Sequence, residues 1–443
     1  MDVDGGNKRV FHRLAVATAA DTRHHQKKVC YHWQAGNCNR HPCPFLHSAT
    51  VYGSTMSCNN NNGRRSHTFM NGTSTWGHGC GGGNHRAVRK ADKVCNYWVQ
   101  GNCGYGERCK FIHSWSCGDG FSLLTQLEGH TKVVSGIALP SGSDKLYTAS
   151  IDETLRVWDC QSGQCTAEIN VGGEVGCMIN EGPWIFVGIP NCVRAWNTQT
   201  CMELSLQGPV GQVYALVVNN DILFAGTQDG SILAWKFNVV VNVFEPAASL
   251  TGHSRGVVSL VVGPNRLYSA SMDNTIRVWN LEHLQCLQIL TDHTSIVMSV
   301  LCWDQFLLSC SLDKTVKVGL HYLLNSYHLL VYNFCNLDFS LVQVWVTTES
   351  GKLEVTYTHK EEHGVVALCG VHDSQGKPIL LCSCTDNTLR LYELPSFLDR
   401  GKIFTKQEIR TIKMGPGGIF FTGDGSGQVR VWNWAIDPTI SIQ

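Results

Sequence analysis

Two stretches 121 positions apart carry the same pattern: "TASIDETLRVWD" from Thr148 to Asp159 and "SASMDNTIRVWN" from Ser269 to Asn280. Each places Asp six residues before Trp, Asp152 to Trp158 and Asp273 to Trp279, and a Gly-His pair ending at His130 or His253 stands upstream. Recurrence at a fixed spacing means that each copy is one supersecondary unit, which buries its apolar face only against a neighbour. Strict or decayed copies end at Trp158, Trp196, Trp235, Trp279, Trp345, Tyr392 and Trp432, which makes seven. Short β-branched and aromatic runs such as "ILFAG", "ILLCS" and "IFFTG" read as strands between turns. The repeat therefore points to an all-β fold over the last three-quarters of the chain.

These copies resemble the WD-repeat family, in which each unit is a four-stranded propeller blade of roughly 40 residues. The resemblance implies a seven-bladed β-propeller over 117–437, with Asp in the tight turn between second and third strands. It also implies a buried network of His, Ser/Thr, Asp and Trp that locks each blade. The matching sets are His130, Ser150, Asp152 and Trp158 in blade one, His253, Ser271, Asp273 and Trp279 in blade four, and His293, Ser311, Asp313 and Trp345 in blade five. These sets recur as repeat elements, and an enzyme rarely needs one site per repeat, so no catalytic residue is assigned. Blade two has Pro190 in place of Asp, and blade three keeps Asp229 and Trp235 without His. Blade six keeps Asp386 but has Tyr392, and blade seven has Ser426 at the Asp position with Asp424 two residues earlier. About ten residues follow Trp432, too few for another hairpin. The segment "SLLTQLEGH" is expected to supply the outer strand of blade seven, closing the ring and removing an open edge.

Charge divides the chain differently. Residues 1–116 hold 15 Lys+Arg against 5 Asp+Glu, and the remainder holds 20 against 30, so a basic arm of about +10 joins an acidic body of about −10. A basic arm favours a polyanion partner. The charged N-terminus has no apolar signal core, and 21 cysteines in a reducing compartment point to metal rather than disulfides.

Two clusters have ligand spacing: Cys30, Cys38, Cys43 and His47 (C-x7-C-x4-C-x3-H), and Cys95, Cys103, Cys109 and His113 (C-x7-C-x5-C-x3-H). Three thiolates and an imidazole satisfy tetrahedral zinc and leave no open coordination position, so two structural zinc ions are expected. Each cluster is too short for a core, and metal binding supplies folding free energy on the order of 10 kcal/mol. Both clusters share "W-x-x-G-N-C" and resemble the CCCH zinc-finger family. Members often bind single-stranded RNA by stacking bases on exposed aromatics. The matching positions are Tyr105 and Phe111 with Lys93, Arg108 and Lys110 in the second finger, and Phe45 with Arg40 in place of the tyrosine in the first. Trp33, Trp98, Tyr31 and Tyr97 would instead cover the metal. Residues 1–24 read as a disordered basic terminus, 25–48 and 92–116 as the fingers, and 49–91, with "NNNNGRRS" and "GCGGGNH", as a flexible linker.

One stretch breaks the repeat. Asp313 calls for Trp at position 319, where Gly319 stands, and the Trp of that copy is Trp345, displaced by 26 residues. Removing residues 318–343 leaves "SLDKTVKVWVTTESG", an unbroken repeat. Evolved insertions favour solvated loops, whereas this one splits a strand. It is read as a retained intron translated in frame, ahead of a functional protrusion or a membrane segment. Val is encoded by codons beginning GT and Gln by CAG, which match the usual intron ends.

The order of finger, linker, finger and propeller resembles the plant ZFWD group. That resemblance implies a nuclear, RNA- or DNA-associated regulator whose propeller holds a protein partner, with the cytoplasm also open. No membrane or small-molecule substrate is expected. The alternatives are a DNA-binding transcription regulator and a propeller adaptor of a ubiquitin-ligase or chromatin complex.

Overall fold

The computed structural model describes residues 91–434 apart from 119, 141, 264, 304–305, 321–352, 354, 356 and 374–375. The first finger (Cys30, Cys38, Arg40, Cys43, Phe45 and His47), the linker and Trp345 lie outside the described residues.

Seven antiparallel sheets form a ring. Blades one to six lie within 134–170, 177–207, 213–250, 257–290, 297–360 and 365–404, and blade seven draws on 409–434. The innermost strands contact their neighbours in order round the circle, and that of blade seven (Ile409–Met414) meets that of blade one (Val134–Ala138). Burial explains the run of residue types. Second strands such as Trp184–Ile189 and Ile222–Thr227, held between neighbouring blades, are buried along almost their whole length. The outer strand Cys165–Asn170 is exposed at every position. A strand covered on both faces needs a continuous apolar run, and a rim strand does not.

The turn between second and third strands has one geometry in all seven blades. The residue after the Asp position adopts left-handed φ, between 63° and 92°, at Glu153, Asn191, Gly230, Asn274, Lys314, Asn387 and Gly427. Blades two and seven, which carry Pro190 and Ser426 in place of Asp, keep the same turn.

The ring closes as expected. Phe121–Leu127 pairs antiparallel with Val429–Trp434, from Leu127↔Val429 to Phe121↔Trp434, and becomes the outer strand of blade seven. Ser116–Cys117 adds a fifth strand to blade six through Cys117↔Lys402 and Ser116↔Ile403.

In blade five the third strand runs Thr315–Leu320, and Gly319 pairs with Leu307 as Trp279 pairs with Leu267 in blade four. Val318 and Gly319 thus occupy the positions that Val344 and Trp345 would take in an uninterrupted copy. The outer strand resumes in register at Val318↔Tyr357, the counterpart of Val157↔Ala167 in blade one. Leu353 is 3 % exposed and packs with Tyr268, Val278 and Leu307 between blades four and five. Gln288 holds its backbone at both ends: Nε2 donates to Leu353 O (2.7 Å), and Oε1 accepts from Leu353 N (2.8 Å). A cavity of about 20 Å³ remains among Leu307, Ser309, His293, Val318 and Leu353. Leu353→Ala is expected to enlarge that void and lower unfolding free energy by about 2–5 kcal/mol, read as a fall in the denaturant midpoint.

Candidate metal centre and nucleic-acid interface

The second finger forms around its ligands. Ala91–Val94 pairs in parallel with Phe111–Ile112, and the Cys95 N–H donates to Ile112 O at 2.9 Å. A single helical turn, Asn96–Val99, fills the loop to Cys103, and a 3₁₀ turn, Gly106–Arg108, leads into Cys109. Ligand atoms of Cys95, Cys103, Cys109 and His113 lie within 4.8 Å of one another. A tetrahedral zinc with sulfur at 2.3 Å needs sulfur atoms about 3.8 Å apart, which is compatible with that bound. The Nε2 of His113 is buried without a hydrogen-bond partner, which fits a ligand position. Burial works against the Cys95 thiolate, but the backbone amide of Trp98 and the neighbouring thiols outweigh it and lower the Cys95 pKa. The Tyr105 amide favours the Cys103 thiolate, yet burial and the other two thiols raise its pKa. A divalent cation at the centre would favour the thiolate form of all three.

Around this buried centre the aromatics split into two groups. Tyr105 is 73 % exposed, Tyr97 65 % and Phe111 44 %. Lys93, Arg108 and Lys110 are also exposed. Trp98 turns inward: it stacks on His113, centroids 5.8 Å apart and planes at 14°, and meets Trp115 at 5.0 Å. Sequence reasoning grouped Tyr97 with Trp98 as a metal cover and overlooked Trp115. The neighbours Tyr97 and Trp98 point about 100° apart on one helical turn, and their adjacency in sequence gave no signal for which of them turns inward.

Among the described residues the propeller sets of blades one and four are present and blade five shows all of its set but Trp345, with one correction to the hydroxyl in each. In blade one the hydroxyl between imidazole and indole belongs to Thr148, not Ser150. The Trp158 indole N–H donates to Thr148 Oγ1 (2.8 Å), which lies 2.8 Å from His130 Nε2, while His130 Nδ1 lies 3.0 Å from Asp152 Oδ2. Ser269, not Ser271, serves in blade four, between Trp279 (2.9 Å) and His253 (2.7 Å). Ser309, not Ser311, meets His293 at 2.9 Å in blade five. Ser150, Ser271 and Ser311 instead brace the turn: each donates to the backbone near the His (Lys132, Arg255 and Ser295) and accepts from the Asp N–H. The reason is position along the strand: the indole reaches the hydroxyl two places earlier, which sits nearer the imidazole.

A proton on Nδ1 aligns the whole chain, indole N–H to hydroxyl, hydroxyl to Nε2, and Nδ1–H to carboxylate. Burial disfavours the imidazolium and lowers the pKa of His130 and His253 despite the facing aspartates. Burial would raise Asp152 and Asp273, but hydrogen bonds from the Thr154 and Thr275 hydroxyls, nearby amides and the imidazoles hold both at about 2.

The other blades satisfy the same position differently. Glu361 of blade six stands four residues before the innermost strand, where His130 and His253 stand in their blades. It accepts from Tyr392 Oη (2.6 Å) and pairs with Arg390 (2.9 Å). In blade seven Trp432 donates to Thr422 Oγ1 at 2.9 Å, and Asp424 forms a buried 2.9 Å pair with Arg430.

Among known proteins, the family described as "Zinc finger C-x8-C-x5-C-x3-H type (and similar)" matches residues 92–114. This finger has seven residues in the first gap instead of eight. "WD domain, G-beta repeat" matches 121–159, 244–280 and 284–318. Zinc finger CCCH domain-containing protein 17 of Oryza sativa is 56 % identical over 99 % of this chain and 98 % of its own. Protein 48 of that series in Arabidopsis thaliana is 58 % identical over 99 % of both chains. The chain belongs to this plant family of CCCH zinc-finger proteins. The fold is similar to the WD40 propeller domain of Doa1, with TM-score 0.56 and 18 % identity over 72 % of this chain and 98 % of that one.

The CCCH finger implies zinc, and both domain families are typically binding or scaffold modules. Among the described residues all cysteines are free thiols, and no helix is long and apolar enough to cross a membrane.

Two predictions follow from the networks. Trp279→Ala leaves a cavity and removes the donor to Ser269, and should lower stability by about 3–5 kcal/mol in denaturant unfolding. Acidification should weaken the propeller in two stages. Below about pH 6.5 the unfolded imidazoles gain protons that folded His130 and His253 resist. From about pH 4 down to about 2 the unfolded aspartates gain protons that folded Asp152 and Asp273 resist. Urea midpoints measured from pH 8 to pH 4 should fall, and the double change His130→Gln with His253→Gln should flatten that fall.

Proposed function

We propose that this protein is a regulatory factor whose fingers bind unpaired RNA and whose propeller holds a protein partner, acting in the nucleus. Its two domain types support the coarser statement of a nucleic-acid-binding finger joined to a protein-interaction propeller. The observation that carries the finer reading is the exposure of Tyr105 and Phe111 around a buried metal centre, flanked by Lys93, Arg108 and Lys110. Every base has a π-face, so such rings stack on single strands, while cationic side chains meet the phosphates. The acidic propeller is poorly suited to a polyanion and better suited to a protein.

The first finger is read as a second zinc module, with Cys30, Cys38, Cys43 and His47 as ligands and Arg40 and Phe45 as contacts. Purified protein should hold two zinc ions, falling to one in Cys38→Ser and in Cys103→Ser. Residues 318–343 are read as a retained intron with no share in this function; transcript sequencing should find a shorter message lacking those codons, and its absence would remove that reading.

The nucleic-acid reading is tested with Tyr105→Ala and Phe111→Ala combined. With zinc content unchanged, affinity for single-stranded RNA should fall by about 1–3 kcal/mol for each stacked base lost. Unchanged affinity removes the stacking role. Tighter binding of duplex DNA than of single strands in the same assay replaces RNA with DNA.

A further inference from the structure

The second finger does not hang from the propeller by a loose tether. Trp115, two residues beyond the ligand His113, packs against the core cluster that contains Phe121, Ile403, Trp432 and Trp434. Its carbonyl accepts from Phe404 N at 2.8 Å, and Ser116–Cys117 continues as the added strand of blade six. The Trp115 ring lies 4.6 Å from the guanidinium carbon of Arg430, whose side chain is fully buried and paired with equally buried Asp424. A buried guanidinium under an aromatic ring gains from the ring face and loses its water. Its buried Nε has no hydrogen-bond partner, and the Trp115 ring is one of the groups that keep water from the guanidinium.

The backbones on either side are fitted to each other. Gly118 has φ +114°, and a Cβ there would come within 2.6 Å of Arg400 O. Gly401 has φ +136°, and a Cβ there would come within 2.4 Å of Cys117 O. Contact this close between two chain segments requires glycine on both sides.

Trp98 also meets Trp115, with ring centroids 5.0 Å apart, and Trp98 stacks on His113. A continuous path of rings therefore joins a metal ligand to the buried Arg430–Asp424 pair. Arg430 lies on the third strand of blade seven, where its residue pairs with Gln126 of the closing strand. Between the added strand and the closing strand lie residues 118–120 alone. The segment that closes the propeller thus emerges directly from the metal site.

We propose that metal occupancy of the second finger governs closure of the propeller, so that the finger acts as a zinc-dependent latch on blade seven. A finger this small depends on its ion to fold. Loss of the ion frees His113 and Trp98, withdraws support from Trp115, and uncovers the Arg430–Asp424 pair. The closing strand then becomes the least stable edge of the ring. Linkage makes the effect reciprocal: the factor by which zinc stabilises the closed strand equals the factor by which the closed ring retains zinc. The latch rests on the zinc reading of the finger but not on RNA binding, and zinc content separates the two.

Hydrogen exchange on the full-length protein tests it. Removing zinc with a chelator should speed exchange in Phe121–Leu127 and Val429–Trp434 on the order of tenfold or more, and leave Ile222–Thr227 of blade three unchanged. Cys103→Ser, which alters no interface residue, should reproduce the effect, whereas Cys38→Ser in the first finger should not. Trp115→Ala with zinc bound should exchange quickly at the closing strand already, gain nothing on chelation, and bind zinc more weakly by a similar factor. Equal exchange at the closing strand with and without zinc overturns the latch. Equal acceleration in every blade overturns it as well, since that reports global unfolding.

Discussion

The pairing of Phe121–Leu127 with Val429–Trp434 decides what the rest of the molecule is. Each blade buries its faces against two neighbours, so an unclosed array would expose the faces of two terminal blades and an unpaired strand edge. Closure joins residues about 300 positions apart, and the loop entropy of such a contact grows only slowly with length. The cost is therefore met mainly by packing, and the packing is dense. Phe121, Phe420, Trp432 and Trp434 form one aromatic group at the seam. The seam needs no WD-type histidine because it has this group and the Arg430–Asp424 pair.

The unequal decay of the repeat has a common physical explanation. The third strand of a blade presents a large side chain with a polar edge, and burial makes an unmet donor there expensive. Blades one and four meet it with a hydroxyl, an imidazole and a carboxylate in series. Blade six meets Tyr392 with the carboxylate of Glu361, itself balanced by Arg390. In blade two Trp196 is only half-buried and packs against an apolar cluster that includes Ile185, Val187 and Cys192, so its polar edge carries a smaller demand. The backbone requirement is stricter than the side-chain one, since all seven turns keep left-handed φ at one position while the residue before it varies.

The features legible in the sequence were those written along one dimension. Repeat spacing set the number of blades, the turns and the closing strand, and ligand spacing set Cys95, Cys103, Cys109 and His113. What was misread needed the register between strands. Thr148 and Ser150 are both small hydroxyl residues facing one side of one strand, and only the reach of Trp158 across the sheet tells which serves the indole. Arg430 was illegible for a different reason. At the same repeat position Arg156 and Arg277 lie near the rim, where Arg156 pairs with Glu168. Nothing local marks Arg430 as buried, because its cover, Trp115, arrives from another domain. Trp115 itself follows the last ligand too closely to be read as part of any repeat.

This cover changes how the two ends of the protein relate under the proposed function. Tyr105 and Phe111 sit on a module held to blades six and seven by a paired strand and a stack of rings, so a strand bound there has a fixed place relative to the propeller. Residues 49–91, which lie, Ala91 apart, outside the described residues, are read as a flexible linker from their Gly-, Asn- and Ser-rich composition alone. If that reading and the proposed function both hold, one nucleic-acid module fixed to the scaffold and another tethered to it would make the second contact intramolecular once the first had formed. The gain then depends on tether length and not on new contacts. The docked finger would then set the geometry, and a tethered one would widen the range of strand lengths that geometry accepts.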